Sequence, residues 1–378
     1  MSASPATAVV FGGPSPEHDV SILSGLQVAR TLAGAGREAF VLYWSKTGDW
    51  YRLPPTLEAS DFVDGIPAGA EELRLSIGGG GGSGPAGGFA EMGGRLGRGR
   101  PVVFEVAVNC CHGGPGEDGT LQAAFDLAGL AYTGPGVAAA ALGMDKLAFA
   151  GLVVDAGLPT LPRRLLGPST GDPGFPGPYI LKPRFGGSSL GIDIVADAVT
   201  AAARLGANSH LRRGAVIEPY RPDLFDLNVA VRLWPEPALS AIERPLRSTA
   251  SSEILGYADK YVGGEGMASA PRELPADLPA AVTGAIRSAA LEIARLTDLR
   301  GVARIDFLSD GGAWFVNEVN TVPGSLARYL WVDPPVTFIE LLDAMLDEAR
   351  HRPTGRPSAM GADGTVLRGA GAIAAKLS

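Results

Sequence analysis

The sequence predicts an α/β protein with more than one domain. Residues 8–11 form a short apolar strand that runs into a glycine-rich turn and then a helix, which is the opening of a doubly wound α/β domain. Residues 301–324 read as a β-hairpin, because two apolar runs flank Asp310-Gly311-Gly312. The 378 residues are enough for two or three domains with a sizeable core.

Composition narrows the classes of function. Hydrophobic residues make up 46% and charged residues 19%, which is typical of a globular chain. The net charge of −8 argues against a nucleic-acid partner bound through a broad basic surface. No apolar run reaches the roughly 18–20 residues that span a bilayer, and no basic segment precedes an apolar N-terminal stretch. The adjacent Cys110 and Cys111 would point to opposite faces of a strand. We therefore expect a cytoplasmic protein without disulfides or a membrane partner.

The first part of the chain alternates strands and helices. The apolar Ile22, Leu26, Ala29 and Ala33 recur at helical spacing after the first turn. Residues 78–94 hold ten glycines in seventeen positions and are predicted to form a surface loop, because no strand leads into them. The other predicted elements are strands over 41–44 and 101–109 and helices over 121–130 and 137–156.

The later part changes in pattern near residues 162–178, which are rich in proline and glycine and indicate entry into a second domain. A closing amphipathic helix is predicted over 338–349, and residues 351–378 are predicted to be a mobile tail. Between them we predict strands over 179–183, 215–218, 227–233, 303–308 and 313–319, helices over 198–205 and 281–296, and a loop over 258–275.

The hairpin carries the first chemical signal. Side chains alternate faces along a strand, so Arg304 and Asp306 share one face, as do Glu318 and Asn320. If the strands pair, three oxygen-donor side chains converge, and such donors suit Mg²⁺. The alternative is a solvated face with one Arg–Asp ion pair.

A second signal lies where strand 179–183 runs into the glycine- and serine-rich residues 186–191. Small residues let backbone N–H groups approach a polyphosphate, and Lys182 adds a positive charge. The lysine precedes the glycines, so this is not a P-loop. The alternative is an ordinary turn of a surface hairpin.

Taken together, eight motifs resemble those of ATP-grasp ligases and, within that superfamily, of the D-alanine–D-alanine ligases. They occur in one order across residues 8–346. They are Gly-Gly-Pro-Ser-Pro-Glu-His-Asp-Val-Ser, His-Gly-Gly-Pro-Gly-Glu-Asp-Gly-Thr-Leu-Gln, Tyr-Thr-Gly-Pro-Gly, Met-Asp-Lys, Lys-Pro-Arg-Phe-Gly-Gly-Ser-Ser-Leu-Gly, Asp-Lys-Tyr, Ala-Arg-Ile-Asp and Asn-Glu-Val-Asn-Thr-Val-Pro-Gly.

The resemblance implies a three-domain ATP-grasp ligase of the α/β class with an N-terminal doubly wound (pre-ATP-grasp) domain. ATP would lie between the central and C-terminal domains. The implied boundaries are 1–130 for the N-terminal substrate domain, 131–219 for the central subdomain and 220–350 for the C-terminal subdomain, followed by the tail.

The resemblance also implies residues for the nucleotide and the metal. Those matching ATP-binding residues are Lys146 and Lys182 for the phosphates, Glu218 for the adenine, Asp226 for the ribose after a one-residue shift, and Lys260 in a mobile loop. Those matching the ligands of two Mg²⁺ ions, which Mn²⁺ could replace, are Asp306, Glu318 and Asn320.

For the amino acids, Glu17 matches the acid that holds the first ammonium, and His112 matches a histidine close by. Glu17, Ser188 and Tyr261 match a hydrogen-bonded trio that closes the site. Arg304 and the backbone N–H of Gly324 match the groups that stabilise oxyanions. A glycine-rich stretch over 261–269 is suited to act as a lid that excludes water.

The sequence departs from the family pattern after Gly324, where the family commonly has a Ser/Thr-rich segment that helps to hold the second substrate's carboxylate. Here Ser325 stays small and Arg328 could bind a carboxylate, but Tyr329 and Trp331 add bulk. The identity of the second substrate is therefore open. A further departure is Pro219, which stands where the family often has a lysine near the adenine.

The resemblance thus implies a homodimeric, ATP-dependent ligase that joins two D-alanines for peptidoglycan through an acyl phosphate. One alternative is a related ATP-grasp ligase that joins a different amino acid pair. Another is a nucleotide-binding regulator without catalysis, which need not keep both metal-binding acids and the oxyanion arginine.

Overall fold

The computed structural model describes residues 6–78, 87–92, 99–167, 171–246, 271–352, 355 and 360–370. It is a mixed α/β structure with one six-stranded sheet, two four-stranded sheets and a two-stranded ladder. Within this described part, no helix is both long and apolar enough to cross a membrane.

The N-terminal sheet has the strand order β5-β4-β3-β2-β1-β6. The central strand β1 pairs in parallel with β2 and β6, and β2 to β5 pair antiparallel. The loops that follow β1 and β6 therefore meet at one edge of the sheet. The strands are β1 (Thr7–Gly12), β2 (Ala39–Trp44), β3 (Trp50–Leu53), β4 (Glu71–Ser76), β5 (Gly88–Glu91) and β6 (Val106–Asn109).

Helices cover both faces of this sheet, as expected of a doubly wound domain. Helix α2 (Thr120–Ala128) packs on one face, and α1 (His18–Gly34) packs on the other. The late helix α7 (Phe338–His351) joins α1 in the same hydrophobic core, through Leu342 and Met345. The C-terminal part of the chain thus completes the N-terminal domain.

The central sheet is antiparallel and has the order β7-β10-β8-β9. Its apolar core includes Leu181, Leu211 and Ile217. The elements of this region are α3 (Val137–Met144), α4 (Lys146–Asp155), β7 (Arg164–Leu166), β8 (Tyr179–Pro183), β9 (Asp193–Val195), α5 (Ala198–Ala207) and β10 (Ala215–Pro219).

The third sheet has the order β12-β11-β15-β16 and contains the predicted hairpin as β15 and β16. The turn forms because the carboxylate of Asp310 accepts hydrogen bonds from the N–H groups of Gly312 and Ala313. The elements are β11 (Phe225–Arg232), β12 (Ala238–Leu239), β13 (Arg244–Pro245), β14 (Arg272–Glu273), α6 (Ala280–Leu296), β15 (Ala303–Ser309), β16 (Trp314–Asn320) and, near the C-terminus, α8 (Thr365–Arg368).

Several predicted elements differ in detail. The helical stretch 137–156 is two helices, because Asp145 has an extended backbone and its side chain caps α4 by accepting from the N–H groups of Leu147 and Ala148. Residues 88–91 of the predicted glycine-rich loop form β5, since Phe89 packs on Trp50 in the core.

Three further differences concern length. The strand predicted over 101–109 covers only Val106–Asn109. The segment 162–178 includes β7, and the predicted tail includes α8. The remaining tail, much of the glycine-rich loop and most of the 258–275 loop lie outside the described residues.

Close packing between α1 and β1 gives a stability prediction. A Cβ added to Gly25 would lie 2.1 Å from Cδ1 of Phe11. We expect Gly25→Ala to lower the free energy of unfolding by about 1–3 kcal/mol, because overpacking outweighs the better helix propensity of alanine. Urea unfolding followed by circular dichroism measures this.

The matched control is Gly284→Ala in α6, where a Cβ would meet nothing within 4 Å. This change should raise the free energy of unfolding by up to about 1 kcal/mol. If Gly25→Ala were as stable as Gly284→Ala, the packing argument would be wrong.

Candidate active site

The hairpin brings its polar side chains together. Asp306 is paired with Glu318 across the two strands, and Arg304 with Asn320. Arg304 donates from Nε and Nη2 to the two carboxylate oxygens of Asp306, at 2.7 and 2.8 Å, and Asn320 Nδ2 donates to the same carboxylate at 2.9 Å. The Arg304 and Asp306 side chains are only 12% and 10% exposed, so this face of the hairpin is not solvated.

The donor set fits a hard cation. Side chains directly opposite on paired strands have Cβ atoms about 4.5–5.5 Å apart, so the carboxylates of Asp306 and Glu318 could reach one ion. Since Asn320 donates from its nitrogen to Asp306, its amide oxygen remains for a cation. The described residues contain no group of three His, Cys, Asp or Glu side chains able to hold a metal, so an amide oxygen would have to complete the set.

A β-bulge interrupts the pairing of β15 and β16 in the hairpin. The pairing register shifts between Asp306 and Phe307, which leaves Asn317 as an extra residue on β16. The side-chain oxygen of Asn317 accepts from Lys182 Nζ at 3.3 Å, and its backbone carbonyl accepts from Arg163 Nη2 at 3.1 Å. The bulge therefore links β16 to the central sheet.

A buried ion network joins the predicted ATP-binding residues. Glu218 is 1% exposed and accepts from Arg163 Nε at 2.7 Å and from Lys182 Nζ at 3.0 Å. Burial alone raises the pKa of Glu218, but the two cations outweigh it and hold the pKa below its ordinary value. Arg163 also donates to the Lys146 carbonyl at 2.6 Å. The prediction missed Arg163, and no sequence signal distinguishes it from its exposed neighbour Arg164.

Lys146 lies at the junction of the central region and the hairpin. Its Nζ donates to the Gly186 carbonyl at 2.5 Å and lies 3.2 Å from Glu318 Oε2. Lys146, Lys182 and Glu218 thus lie in one region of the structure. Asp226 is half-buried on β11 opposite Leu308.

The glycine- and serine-rich loop contacts the N-terminal domain. Ser188 Oγ donates to the carboxylate of Glu17. A Cβ at Gly113 would lie 2.2 Å from Oε2 of Glu17, and one at Gly187 would lie 3.3 Å away, so both glycines make room for this carboxylate. The Glu17 side chain makes no capping bond to α1. The third member of the predicted trio, Tyr261, and Lys260 both lie outside the described residues.

His112 is buried in a hydrogen-bond chain. Burial lowers its pKa to about 4, so the ring is neutral at pH 7. Its Nδ1 lies 2.8 Å from the Val322 carbonyl and must carry the proton, which leaves Nε2 to accept from Ser24 Oγ at 2.7 Å. Ser24 in turn accepts from the Ser325 N–H at 2.8 Å. His18, in contrast, points away to the Gly13 carbonyl and Tyr43.

Glu117 lies in the motif that begins at His112, and the sequence does not indicate a role for it. Its carboxylate accepts from the N–H groups of Gly113 at 2.9 Å and Val322 at 3.0 Å. Burial, followed by the charge of Glu17, raises the pKa of Glu117 to about 7. Glu117 and His112 together hold the backbone of Val322 at both its N–H and its carbonyl.

The segment after the hairpin turns sharply. Ser325, Leu326 and Ala327 have φ values of 50°, 49° and 50°, in the left-handed region. Gly324 immediately precedes these three residues, and Ser325, the first of them, is half-buried. Arg328 is exposed, and its Nε donates to Gln27 Oε1 on α1 at 3.1 Å.

The raised pKa of Glu117 predicts a pH-dependent stability. The folded protein binds the Glu117 proton more tightly than the unfolded chain does, and this adds to the free energy of unfolding. The added stability is complete below the unfolded pKa, near 4.5, and is lost as the pH rises through about 7. We expect Glu117→Gln to remove this dependence. The stability of the variant relative to the wild type should therefore rise from pH 5 to 8, by at most about 1.4 kcal/mol per pH unit.

Urea titrations at pH 5, 6, 7 and 8 measure this difference. The exposed Glu72 on β4 supplies the control, since Glu72→Gln should give a nearly constant offset. A constant offset for Glu117→Gln as well would contradict the raised pKa.

The buried pair of Arg163 and Glu218 gives a second prediction. Removing one partner of a buried ion pair leaves an uncompensated charge, so Arg163→Met should lower the free energy of unfolding by about 3–5 kcal/mol. Arg221, whose ion pair with Asp223 is exposed, is the control, and Arg221→Met should cost about 1 kcal/mol or less. Equal effects of the two changes in urea unfolding would show that burial does not matter here.

Comparison with known proteins gives consistent matches. Residues 6–135 match the family model described as D-ala D-ala ligase N-terminus, and residues 173–347 match the D-ala D-ala ligase C-terminus. A protein of Corynebacterium aurimucosum named D-alanine–D-alanine ligase is 32% identical, over 91% of this chain and 97% of its own. A protein of the same name from a Methylobacterium species is 33% identical, over 91% of each chain.

Solved structures agree on the fold. The D-alanine-D-alanine ligase from Coxiella burnetii superposes with a TM-score of 0.73 at 21% identity, covering 93% of this chain and 95% of that one. The VanG D-Ala:D-Ser ligase from Enterococcus faecalis gives 0.70 at 21% identity, covering 92% and 99%. With its ATP-grasp fold and these matches along almost its whole length, the chain belongs to the D-alanine–D-alanine ligase family.

Proposed function

We propose that this protein is an ATP-dependent ligase that joins two D-alanines through an acyl phosphate and so supplies peptidoglycan synthesis and cell-shape maintenance. The observation that supports this most directly is the hairpin constellation. An arginine, two carboxylates and an amide lie together at a largely buried face, beside Lys146. Curated relatives at 32–33% identity carry the name of this activity.

The nucleotide half of the site is proposed to use Lys146 and Lys182 for the phosphates, Glu218 for the adenine, Asp226 for the ribose and Lys260 from outside the described residues. In the protein without nucleotide, Lys146 is paired with Glu318 and Lys182 is paired with Glu218. Phosphate oxygens would offer each lysine a second anionic partner, so ATP can bind without exposing an unpaired buried charge.

Asp306, Glu318 and Asn320 are proposed to hold Mg²⁺, two ions in all, or Mn²⁺ in its place. When bound, Mg²⁺ supplies positive charge that stabilises the phosphoryl group during its transfer. The contribution of the protein is to hold Asp306 in a fixed position through Arg304 and Asn320.

The first D-alanine is proposed to lie near Glu17 and His112, with its ammonium facing the Glu17 carboxylate. Neutral His112 adds no positive charge that would repel the ammonium. The contact between Glu17 and Ser188 would hold the glycine- and serine-rich loop over this amino acid. Tyr261 and the stretch 261–269 are proposed to complete the closure and exclude water, which would hydrolyse an acyl phosphate.

The second step is capture of the acyl phosphate by the amine of the second amino acid. Negative charge develops on the acyl oxygen as the tetrahedral intermediate forms. Arg304 and the N–H of Gly324 are proposed to stabilise it, because donors already fixed in a buried site need no reorganisation. Arg304 is fixed by its two bonds to Asp306.

The domain boundaries 1–130, 131–219, 220–350 and 351–378 remain part of the proposal, as do a homodimer and a cytoplasmic location.

Ser325 and Arg328 are the residues that the sequence predicts to help bind the second substrate. Of these, Ser325 is the better placed, since Arg328 is exposed and hydrogen-bonded to Gln27.

A second candidate is a ligase that joins D-alanine to a different acceptor. One observation favours it, namely the altered segment after Gly324. A phosphate-release assay with ATP, Mg²⁺, D-alanine and a panel of second amino acids separates the candidates. Turnover with another pair but not with D-alanine alone would favour the second one. ATP binding without turnover would favour a regulator.

We expect Arg304→Ala to lower the rate of ligation about 10²–10³-fold, as loss of one oxyanion donor does elsewhere, with a modest effect on ATP binding. Steady-state phosphate release and nucleotide titration measure the two quantities. Arg37→Ala, which removes an exposed partner of Asp343, is the control and should keep wild-type turnover. Wild-type turnover in Arg304→Ala would refute the oxyanion role.

A further inference from the structure

A short linking segment, residues 159–166, joins the third sheet to the central sheet. At its start, the Pro159 carbonyl accepts from the Val316 N–H at 2.8 Å, and Thr160 Oγ1 donates to the Val316 carbonyl at 2.8 Å. Val316 belongs to β16, the edge strand of the third sheet. At its end, the linking segment becomes β7, the edge strand of the central sheet, which pairs with β10. The chain therefore crosses from one sheet to the other here, and Arg163 lies at the crossing.

The side chain of Arg163 holds three elements at once. It is only 2% exposed. Its Nε donates to Glu218 on β10 at 2.7 Å, and its Nη1 donates to the Lys146 carbonyl at the start of α4 at 2.6 Å. Its Nη2 donates to the Asn317 carbonyl on β16 at 3.1 Å. A guanidinium carries its donors in fixed directions, so it fixes the relative positions of these acceptors.

The bonds of Arg163 are part of a closed ring of four residues. Arg163 Nε and Lys182 Nζ both donate to Glu218, at 2.7 and 3.0 Å. The Lys182 Nζ also donates to the side-chain oxygen of Asn317 at 3.3 Å, and the Asn317 carbonyl accepts from Arg163. Asn317 is the extra residue of the bulge on β16. The ring therefore links the central region to the third sheet twice, through the side chain and the carbonyl of one residue.

The groups proposed to hold the polyphosphate lie on the two sides of this ring. Lys146 and Lys182 belong to the central region, and Glu318, which follows Asn317 directly, belongs to the hairpin. Phosphates that are bound by the lysines can share a cation with the hairpin only if the two sheets lie at the right separation. A separation that is fixed in advance avoids an ordering cost when the ligands bind.

We propose that Arg163 is a positioning residue that sets the separation of the two sheets and so couples Mg²⁺ binding to nucleotide binding. This inference rests on the proposed function. Without a cation, the carboxylates of Asp306 and Glu318 repel the phosphates, and the nucleotide depends on the lysines of the central region. With the cation, the phosphates engage both sheets, and the gain in affinity is full only when the sheets are already in place.

The test is Arg163→Lys. The variant keeps a positive charge beside Glu218, so it should retain most of the stability that Arg163→Met loses, but an ammonium cannot bridge three separate acceptors. Calorimetric titration with the β,γ-imido analogue of ATP, in EDTA and in excess Mg²⁺ and without amino acids, gives the tightening by Mg²⁺. We expect the affinity in EDTA to stay within about twofold of wild type and the tightening to fall about tenfold, within the usual range of coupling between sites.

Two controls accompany this variant. AMP lacks the β and γ phosphates and should bind equally well to Arg163→Lys and to the wild type. Arg212→Lys makes the same change at an exposed position of the central region and should keep the wild-type tightening. An unchanged tightening in Arg163→Lys would overturn the proposal. A loss of affinity shared by AMP would also overturn it, because Arg163 would then act on the adenine end of the site.

A second variant opens the ring at its other link between the sheets. Asn317→Ala removes the bond to Lys182 but keeps the backbone carbonyl that Arg163 contacts. We expect a smaller loss of tightening, because the bond that is removed is the longer one. If Arg163→Lys did not fold, Asn317→Ala would decide, and an unchanged tightening there would overturn the inference.

Failure of the proposed function gives a different result. A wild type that binds no nucleotide, or whose nucleotide affinity does not respond to Mg²⁺, would remove the basis of the proposed function and of this inference together. A wild type that shows the tightening but releases no phosphate with any amino acid pair would refute the ligase activity alone, and the loss of tightening in Arg163→Lys would still support the role of Arg163.

Discussion

Compensation of buried charge is the constraint on which this site depends. Glu218 is almost fully buried, and its carboxylate is stable there only because Arg163 and Lys182 both donate to it. Asp306 is held in the same way by Arg304 and Asn320. Each lysine proposed to bind phosphate already has a carboxylate partner in the protein alone. An anionic ligand with its cation would therefore give each lysine a second partner and would leave no buried charge unpaired.

A second constraint is positional, since the N–H of Gly324, which is proposed to stabilise an oxyanion, can do so only if its peptide group is fixed. The fixing starts two residues earlier, where Glu117 accepts from the Val322 N–H and His112 donates to the Val322 carbonyl. Both side chains follow β6, at the carboxyl edge of the N-terminal sheet. The N-terminal domain thus contributes to the site by holding a strand end that belongs to the third sheet. Burial keeps His112 neutral, and Glu117 titrates near neutrality for the same reason.

Much of this was predictable from sequence, because it depends on local pattern. The Asp310-Gly311-Gly312 turn and period-two alternation are enough to place Arg304, Asp306, Glu318 and Asn320 on one face. The bulge at Asn317 was not predictable, because an extra residue in a ladder shows only when its partner strand is known. Arg163 was missed for a related reason. Its partners are 17, 55 and 154 residues away, and nothing in its neighbourhood marks it as buried.

The turn after Gly324 shows how burial of apolar side chains offsets an unfavourable backbone conformation. Three consecutive non-glycine residues adopt left-handed backbone angles, each at a cost of about 1–2 kcal/mol. Full burial of Leu326, Leu330 and Trp331 offsets this, since each large apolar side chain contributes about 1.5–3 kcal/mol. The reversal buries Trp331 in the core with α1 and α7, and Tyr329 packs against the same core with its ring under the guanidinium of Arg272. The left-handed turn is therefore the feature by which this segment seals the N-terminal core.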